Sequence, residues 1–183
     1  MNKIIPSILF GLLTADAVNA AGFAVTSAEI RNNGRIADEQ VFNNFGCQGG
    51  NVSPALQWKD APAGAKSFAI TVYDPDAPTG SGWWHWVMFN VPASVTSIVK
   101  GAGDPAASLT PAGAIQSRTD FGKPGYGGPC PPAGDKPHRY QITVYALKVD
   151  KLPLDETAPA AMVGFYLHQN LIQKAVLNAQ YGR

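Results

Sequence analysis

The chain has 183 residues, 14 Lys and Arg against 13 Asp and Glu, 45% hydrophobic residues and 10% aromatics. That length allows a substantial core, and that composition excludes an intrinsically disordered chain. The formal net charge is +1, charged residues make up 15%, and no basic cluster appears. Nucleic acid is therefore a poor partner, because counterion release needs several clustered Lys or Arg. An electrostatic membrane anchor is excluded on the same ground.

The first residues read separately. Lys3 is a minimal positive n-region, residues 4–13 are mostly apolar, and Val18-Asn19-Ala20 offers short residues before a cleavage site. This is the pattern of a secretory signal peptide over residues 1–20, cut near Ala20 or Ala21. Residues 22–183 would then form one domain. The apolar stretch is too short to span a bilayer, and no cysteine lies near the cut to carry a lipid. The chain has two cysteines, Cys47 and Cys130. In a secreted chain an even count points to a disulfide. Closing so long a loop is worth about 4–5 kcal/mol in the chain-entropy model. Two separate buried thiols are the alternative.

Phe23 to Ile30 opens with a short alternating run, and Asn32-Asn33-Gly34 is a turn. Val41 to Phe45 is a short apolar piece, and Ala55 to Trp58 a short strand. Ser67 to Asp74 is an apolar strand closed by Asp74-Pro75-Asp76-Ala77-Pro78. The prolines lack an N–H and fix φ, so the ladder must stop there. Trp83 to Val91 is a strand rich in aromatic and β-branched residues. Residues 101–137 hold eight Gly and seven Pro. A loop of that length in a compact domain is functional or mobile, with Ala114-Ile115 able to pair briefly. Arg139 to Val149 is the last strand. Asp155-Glu156-Thr157 before Ala158-Pro159 reads as an acidic, capped helix start. Met162, Phe165, Tyr166, Gln169, Ile172 and Val176 fall near helical spacing, which predicts one helix from Ala158 to Asn178. Short strands between turn signals predict a mainly β chain, an antiparallel β-sandwich with a helix added at the C-terminus.

Strand phase singles out three polar residues. Side chains alternate faces with period two. Asp74 is in phase with Phe68, Ile70 and Val72. His85 is in phase with Trp83, Val87 and Phe89. His138 is in phase with Tyr140, Ile142 and Val144. Each lies at a strand end, and if those ends meet they form a small polar pocket in an apolar rim, the anatomy of a small-ligand site. The alternative is that each histidine is a structural residue near a loop. Two imidazoles can donate to an anion, and the N–H groups of Gly127 and Gly128 could add an anion nest. Asp74 fits as a partner that orients His85 or His138 and fixes its tautomer. Two His and one carboxylate is also a conceivable Zn set, but the spacing is no local metal motif, so no metal is expected. Gly80-Ser81-Gly82 is not a nucleophile elbow, which leaves an Asp/His acid–base pair as the hydrolase alternative.

Asp74-Pro75-Asp76-Ala77-Pro78, His85, and Pro131-Pro132 followed by His138-Arg139-Tyr140 resemble the phosphatidylethanolamine-binding protein family. Ser81-Gly82-Trp83-Trp84-His85-Trp86-Val87 looks like its bacterial, Raf-kinase-inhibitor-like branch. The resemblance runs from about Ala24 to the C-terminus. It implies a β-sandwich with short helices, a C-terminal helix, and a pocket for phosphate, acetate or a phosphoryl head group such as phosphoethanolamine. By motif, Asp74, His85 and His138 would form the pocket wall, and Ala77, Pro78, Trp83, Gly128 and Pro131 its rim. Cys130 stands where the family commonly has Gly beside the ligand; its N–H can still donate, and a bridge to Cys47 would stiffen that loop. Arg139, out of phase with His138, is assigned a structural contact with Asp76. His168, on the predicted helix, reads as a surface residue. The resemblance also implies a periplasmic address and a homodimer. Recorded activities in the family differ and fold does not fix function. The expected function is non-enzymatic anion binding, with modulation of a protein partner. The alternative is an interaction or inhibitor module with a vestigial pocket.

Overall fold

The computed structural model describes residues 22–183; the expected signal peptide lies outside them. Strands β1 (Ala24–Thr26), β3 (Leu56–Lys59) and β6 (Ser97–Ile98) make a three-stranded sheet in the order β1-β3-β6. Strands β2 (Gly34–Arg35), β4 (Ser67–Asp74), β5 (Trp83–Pro92), β7 (Ile115–Gln116), β8 (His138–Leu147) and β9 (Leu171–Tyr181) make a six-stranded sheet in the order β2-β9-β8-β4-β5-β7. Its pairings are antiparallel except β2 with β9, which is parallel, so the large sheet is mixed.

Alternation along β4 sorts two cores. Phe68, Ile70 and Val72 join Trp86, Met88, Ile142 and Val144 in a cluster that reaches Phe23, Leu56 and Trp58 of and beside the small sheet. Phe68 stacks between those layers, 5.3 Å from Trp58 and 6.1 Å from Phe23 between ring centroids. Ala69 joins Val87, Phe89, Tyr145 and Leu147 on the opposite face, where α1 (Ala160–Asn170) covers them. Burying apolar side chains on both faces is the main favourable term for such a sheet, about 25 cal/mol per Å² removed from water.

Two irregularities break the β4–β5 register, one between Phe68 and Ile70 and one between Val72 and Tyr73. At the second, Val72 pairs with Trp86 and Tyr73 with Trp84, so His85 is the extra residue of a bulge. The bulge changes the phase of β5. Val87 and Phe89 face the helix, whereas His85 and Trp83 open on the other side with Asp74 and Tyr140. Strict alternation placed His85 with Val87 and Phe89, and that assignment is corrected here.

The helix predicted over Ala158–Asn178 is shorter. It ends at Asn170, and residues Leu171–Tyr181 form β9, which pairs along β8. The stripe chosen from helical spacing is the solvent side: Met162 is 47% exposed, Phe165 59%, Ile172 38% and Val176 40%. The helix instead buries Ala160, Val163, Gly164 and Leu167. In β9, Ala175, Leu177, Ala179 and Tyr181 are buried in alternation, a period of two that the helical reading passed over. The expected side-chain cap is also absent. The N-cap is Pro159, and Asp155 accepts from the N–H and hydroxyl of Thr157 at 2.9 and 2.6 Å.

Candidate functional site

Three strand ends meet, His85 through its bulge, and a pocket of about 170 Å³ opens between them. Asp74 ends β4, His85 sits in the β5 bulge, and His138 begins β8. Ala77, Pro78, Trp83, Cys130 and Pro131 also line this pocket. So do Phe45, Thr79, Phe121, Pro132 and Tyr140, none of which had been given a site role from the sequence.

Asp74 is 3% exposed, and its partners account for that burial. One carboxylate oxygen accepts from the N–H groups of Asp76 and Ala77 at 2.8 and 3.1 Å, because the Pro75 turn brings those amides back over the strand end. The other takes the Nδ1–H of His138 at 2.7 Å. A carboxylate there accepts, so Nδ1 carries the proton and the tautomer is set. The Nε2 edge of His138 faces Asp135 Oδ2 at 3.5 Å.

His85 is held by the Gly-rich segment instead. Its Nδ1–H donates to the Gly127 carbonyl at 2.7 Å, and its own carbonyl accepts from Gly127 N–H at 2.9 Å. Burial pushes its imidazole below the ordinary histidine range, against the Gly127 carbonyl and the charges of Asp74 and Asp120. The ring lies 5.2 Å from Tyr140 and 5.4 Å from Phe121 between centroids.

The expected anion nest is not there. Gly127 N–H is committed to His85, and Gly128 N–H donates to Asn51 Oδ1 at 2.8 Å. Gly128 does not line the pocket; a Cβ on it would collide with the Gln40 carbonyl and the Phe42 amide nitrogen. Its glycine serves close packing of two backbones. The segment from Gly125 to Pro129 is buried, so this part of the long loop is a wall of the molecule.

Arg139 points out of the pocket. Its guanidinium donates to both oxygens of Asp76, at 2.6 and 2.8 Å, and its backbone N–H adds a bond of 2.9 Å. That contact with Asp76 is the one assigned from the sequence. The guanidinium holds the Asp76 carboxyl well below the usual carboxylate range. His168 is exposed on α1 and bonds the Gly164 carbonyl at 2.7 Å, away from the pocket.

Cys47 and Cys130 form a disulfide across the mouth, with sequence separation 83. Arg183 adds a second tie, donating to the carbonyls of Pro131 at 2.8 Å and Gly46 at 2.9 Å. Between them Phe45, 62% exposed with φ of 54°, stands at the rim. Its ring is 6.0 Å from Phe121, which is 5.4 Å from Trp83. Sequence reading had no route to Phe45 or Phe121, because loop residues come together only through the disulfide and the buried Gly-rich wall.

One donor in the pocket wall has no acceptor within hydrogen-bond geometry among the described residues. Tyr140 is fully buried and its hydroxyl faces the Asp74 carboxylate without reaching hydrogen-bond geometry. Among the described residues no group of three or more His, Cys, Asp or Glu is placed to hold a metal ion.

A mixed β-sandwich that gathers three strand ends around an aromatic-rimmed pocket defines the class of protein. The sequence profile of the phosphatidylethanolamine-binding protein family matches residues 26–182. The chain is 50% identical over 181 residues to the UPF0098 protein YbcL of Escherichia coli, covering 99% of this chain and 98% of that one. It is 47% identical over 155 residues to YbhB of the same organism, covering 85% and 97%. The crystal structure of Escherichia coli YbcL superposes with a TM-score of 0.88 at 52% identity, over 89% of this chain and 99% of that one. A phosphatidylethanolamine-binding protein homolog of Chlamydia trachomatis gives 0.73 at 30% identity, over 88% and 98%. The chain belongs to the phosphatidylethanolamine-binding protein family, in its bacterial branch with YbcL and YbhB.

Proposed function

We propose that this chain is a non-enzymatic binding protein whose pocket takes a small oxyanion, phosphate or a phosphoethanolamine-like head group. The observation that carries this reading is the Tyr140 hydroxyl, buried in the pocket wall with no hydrogen-bond partner. An unsatisfied buried hydroxyl costs about 1–3 kcal/mol, and a ligand oxygen accepting its proton removes that cost. Burial, then the charge of Asp74, push the phenol far above its ordinary range, so it is a donor at any physiological pH. The family name, which refers to a phospholipid, agrees with a phosphoryl ligand.

Non-enzymatic binding is favoured over hydrolysis by the state of the candidate nucleophiles. Cys130 is oxidised to the disulfide, and the Thr79 hydroxyl donates to the Gly82 carbonyl at 2.5 Å. A periplasmic address is supported by the n-region and apolar stretch of residues 1–20 and by a disulfide suited to an oxidising compartment. Among the described residues no helix is long and apolar enough to cross a membrane.

The test is calorimetric titration of the oxidised protein with phosphate and with phosphoethanolamine, beside His85→Ala. Saturable heat in the parent that disappears in the folded variant is the expected result. No saturable heat from either ligand between pH 5 and pH 8 would remove the oxyanion reading.

A further inference from the structure

The hydrogen-bond directions around the two histidines go beyond the presence of an oxyanion site. Each imidazole spends Nδ1–H on a group that can only accept, the Gly127 carbonyl for His85 and the Asp74 carboxylate for His138. A neutral ring anchored this way has a lone pair, and no proton, at Nε2. His85 Nε2 has no hydrogen-bond partner among the described residues, and the ring lines the pocket. It is the ring nitrogen left to the pocket. His138 Nε2 faces Asp135 Oδ2 at 3.5 Å, so a proton there is directed at a carboxylate rather than at a ligand. No lysine or arginine lines the pocket. The groups facing His85 are the carboxylates of Asp74 and Asp120 and the phenol of Tyr140; behind them, Asp135 faces His138 and Arg139 is engaged by Asp76.

A fully ionised oxyanion offers only lone pairs. The Tyr140 hydroxyl can match one of them, but His85 Nε2 opposes another with a lone pair of its own. From this geometry we infer that the pocket takes its oxyanion together with one proton, so that its ligand class is an acid oxyanion such as a phosphomonoester monoanion rather than a bare dianion. The proton sits between His85 Nε2 and the ligand oxygen, on either atom, and turns a repulsive contact into a charge-assisted hydrogen bond. Burial of the ring, which disfavours an imidazolium in the empty pocket, agrees with uptake of the proton on binding. The inference rests on the oxyanion reading above and adds a stoichiometry to it.

The experiment is titration of the oxidised full chain with phosphoethanolamine at pH 8, where its phosphate is the proton-free dianion, in buffers of different ionisation heat. Uptake of close to one proton per phosphoethanolamine bound is expected, with affinity falling about tenfold per pH unit on the alkaline side, as one-proton linkage requires. Sulfate, which carries no proton near neutral pH, locates the proton. Uptake with sulfate places it on His85, and phosphoethanolamine binding with uptake while sulfate fails to bind places it on the ligand. Saturable binding of phosphoethanolamine or sulfate at pH 8 with no proton uptake overturns the inference and leaves the oxyanion site standing. Absence of binding by both at every pH overturns the oxyanion reading itself.

Discussion

At the scale of the residue, His85 shows how an ionisable group is held out of its ordinary state by burial. Its imidazole is pushed down in the folded chain, while in the unfolded chain it titrates near 6.5. The unfolded state therefore binds more protons as pH falls through about 6.5, so stability declines in that direction until the folded value is passed. The expected result is a melting temperature that falls from pH 7 to pH 5 with a shallower slope in His85→Gln; equal slopes would contradict it. Gly128 is the converse case, a residue set by packing alone. Gly128→Ala drives a Cβ into the backbone of Gln40 to Phe42 and is expected to cost about 2 kcal/mol or more in a denaturant melt. A variant as stable as the parent would remove the close-packing account. Both residues were legible as site candidates, but for Gly128 the reason differed: composition marks a glycine as free to approach something, and only the fold tells whether that is a ligand or another backbone.

At the scale of the element, strand phase carried the site a long way. Asp74 and His138 lie where alternation along β4 and β8 placed them. His85 reached the same pocket through a bulge that alternation cannot represent, since one extra residue flips every side chain beyond it. The helix failed for a related reason. Met162 and Phe165 are the exposed apolar residues of α1, whose small residues Ala160 and Gly164 let it approach the sheet by another face, while Ile172 and Val176 belong to β9. The Asp76–Arg139 pair fastens the end of β4 to the start of β8, and with it the Asp74–His138 contact. Arg139 keeps the Asp76 carboxyl low, so this contribution is present above the unfolded value near 3.9 and is lost as pH falls through the folded one. Arg139→Gln is expected to lower the melting temperature at pH 7, with the gap to the parent closing in strong acid. A gap that stays constant down to pH 2 would show that the pair contributes through packing.

At the scale of the whole molecule, the site is a meeting of distant segments, and that is why part of it could not be read from the sequence. Phe45, Phe121 and Cys130 come together because a bridge of separation 83 and the Arg183 contacts draw two loops over the strand ends. The family motifs mark the strand-end half of the pocket and reach Cys130 and Pro131 in this half, but are silent about Phe45 and Phe121. A loop of that length makes the disulfide worth up to about 4–5 kcal/mol. Reduction, verified by thiol titration, should lower the denaturant midpoint substantially and weaken ligand binding, because Cys130 lines the mouth. An unchanged midpoint with both thiols free would mean that the protein-wide contacts of the two sheets suffice without the bridge.

The most direct measurement is Tyr140→Phe, read for stability and for phosphoethanolamine affinity in the same preparation. Its hydroxyl has no protein partner, so its removal should leave stability unchanged or raise it by up to about 1 kcal/mol. Losing a hydrogen bond to a charged ligand should weaken affinity about 10- to 100-fold. A folded variant that binds phosphoethanolamine as tightly as the parent would contradict the account, because the buried hydroxyl would then serve no ligand.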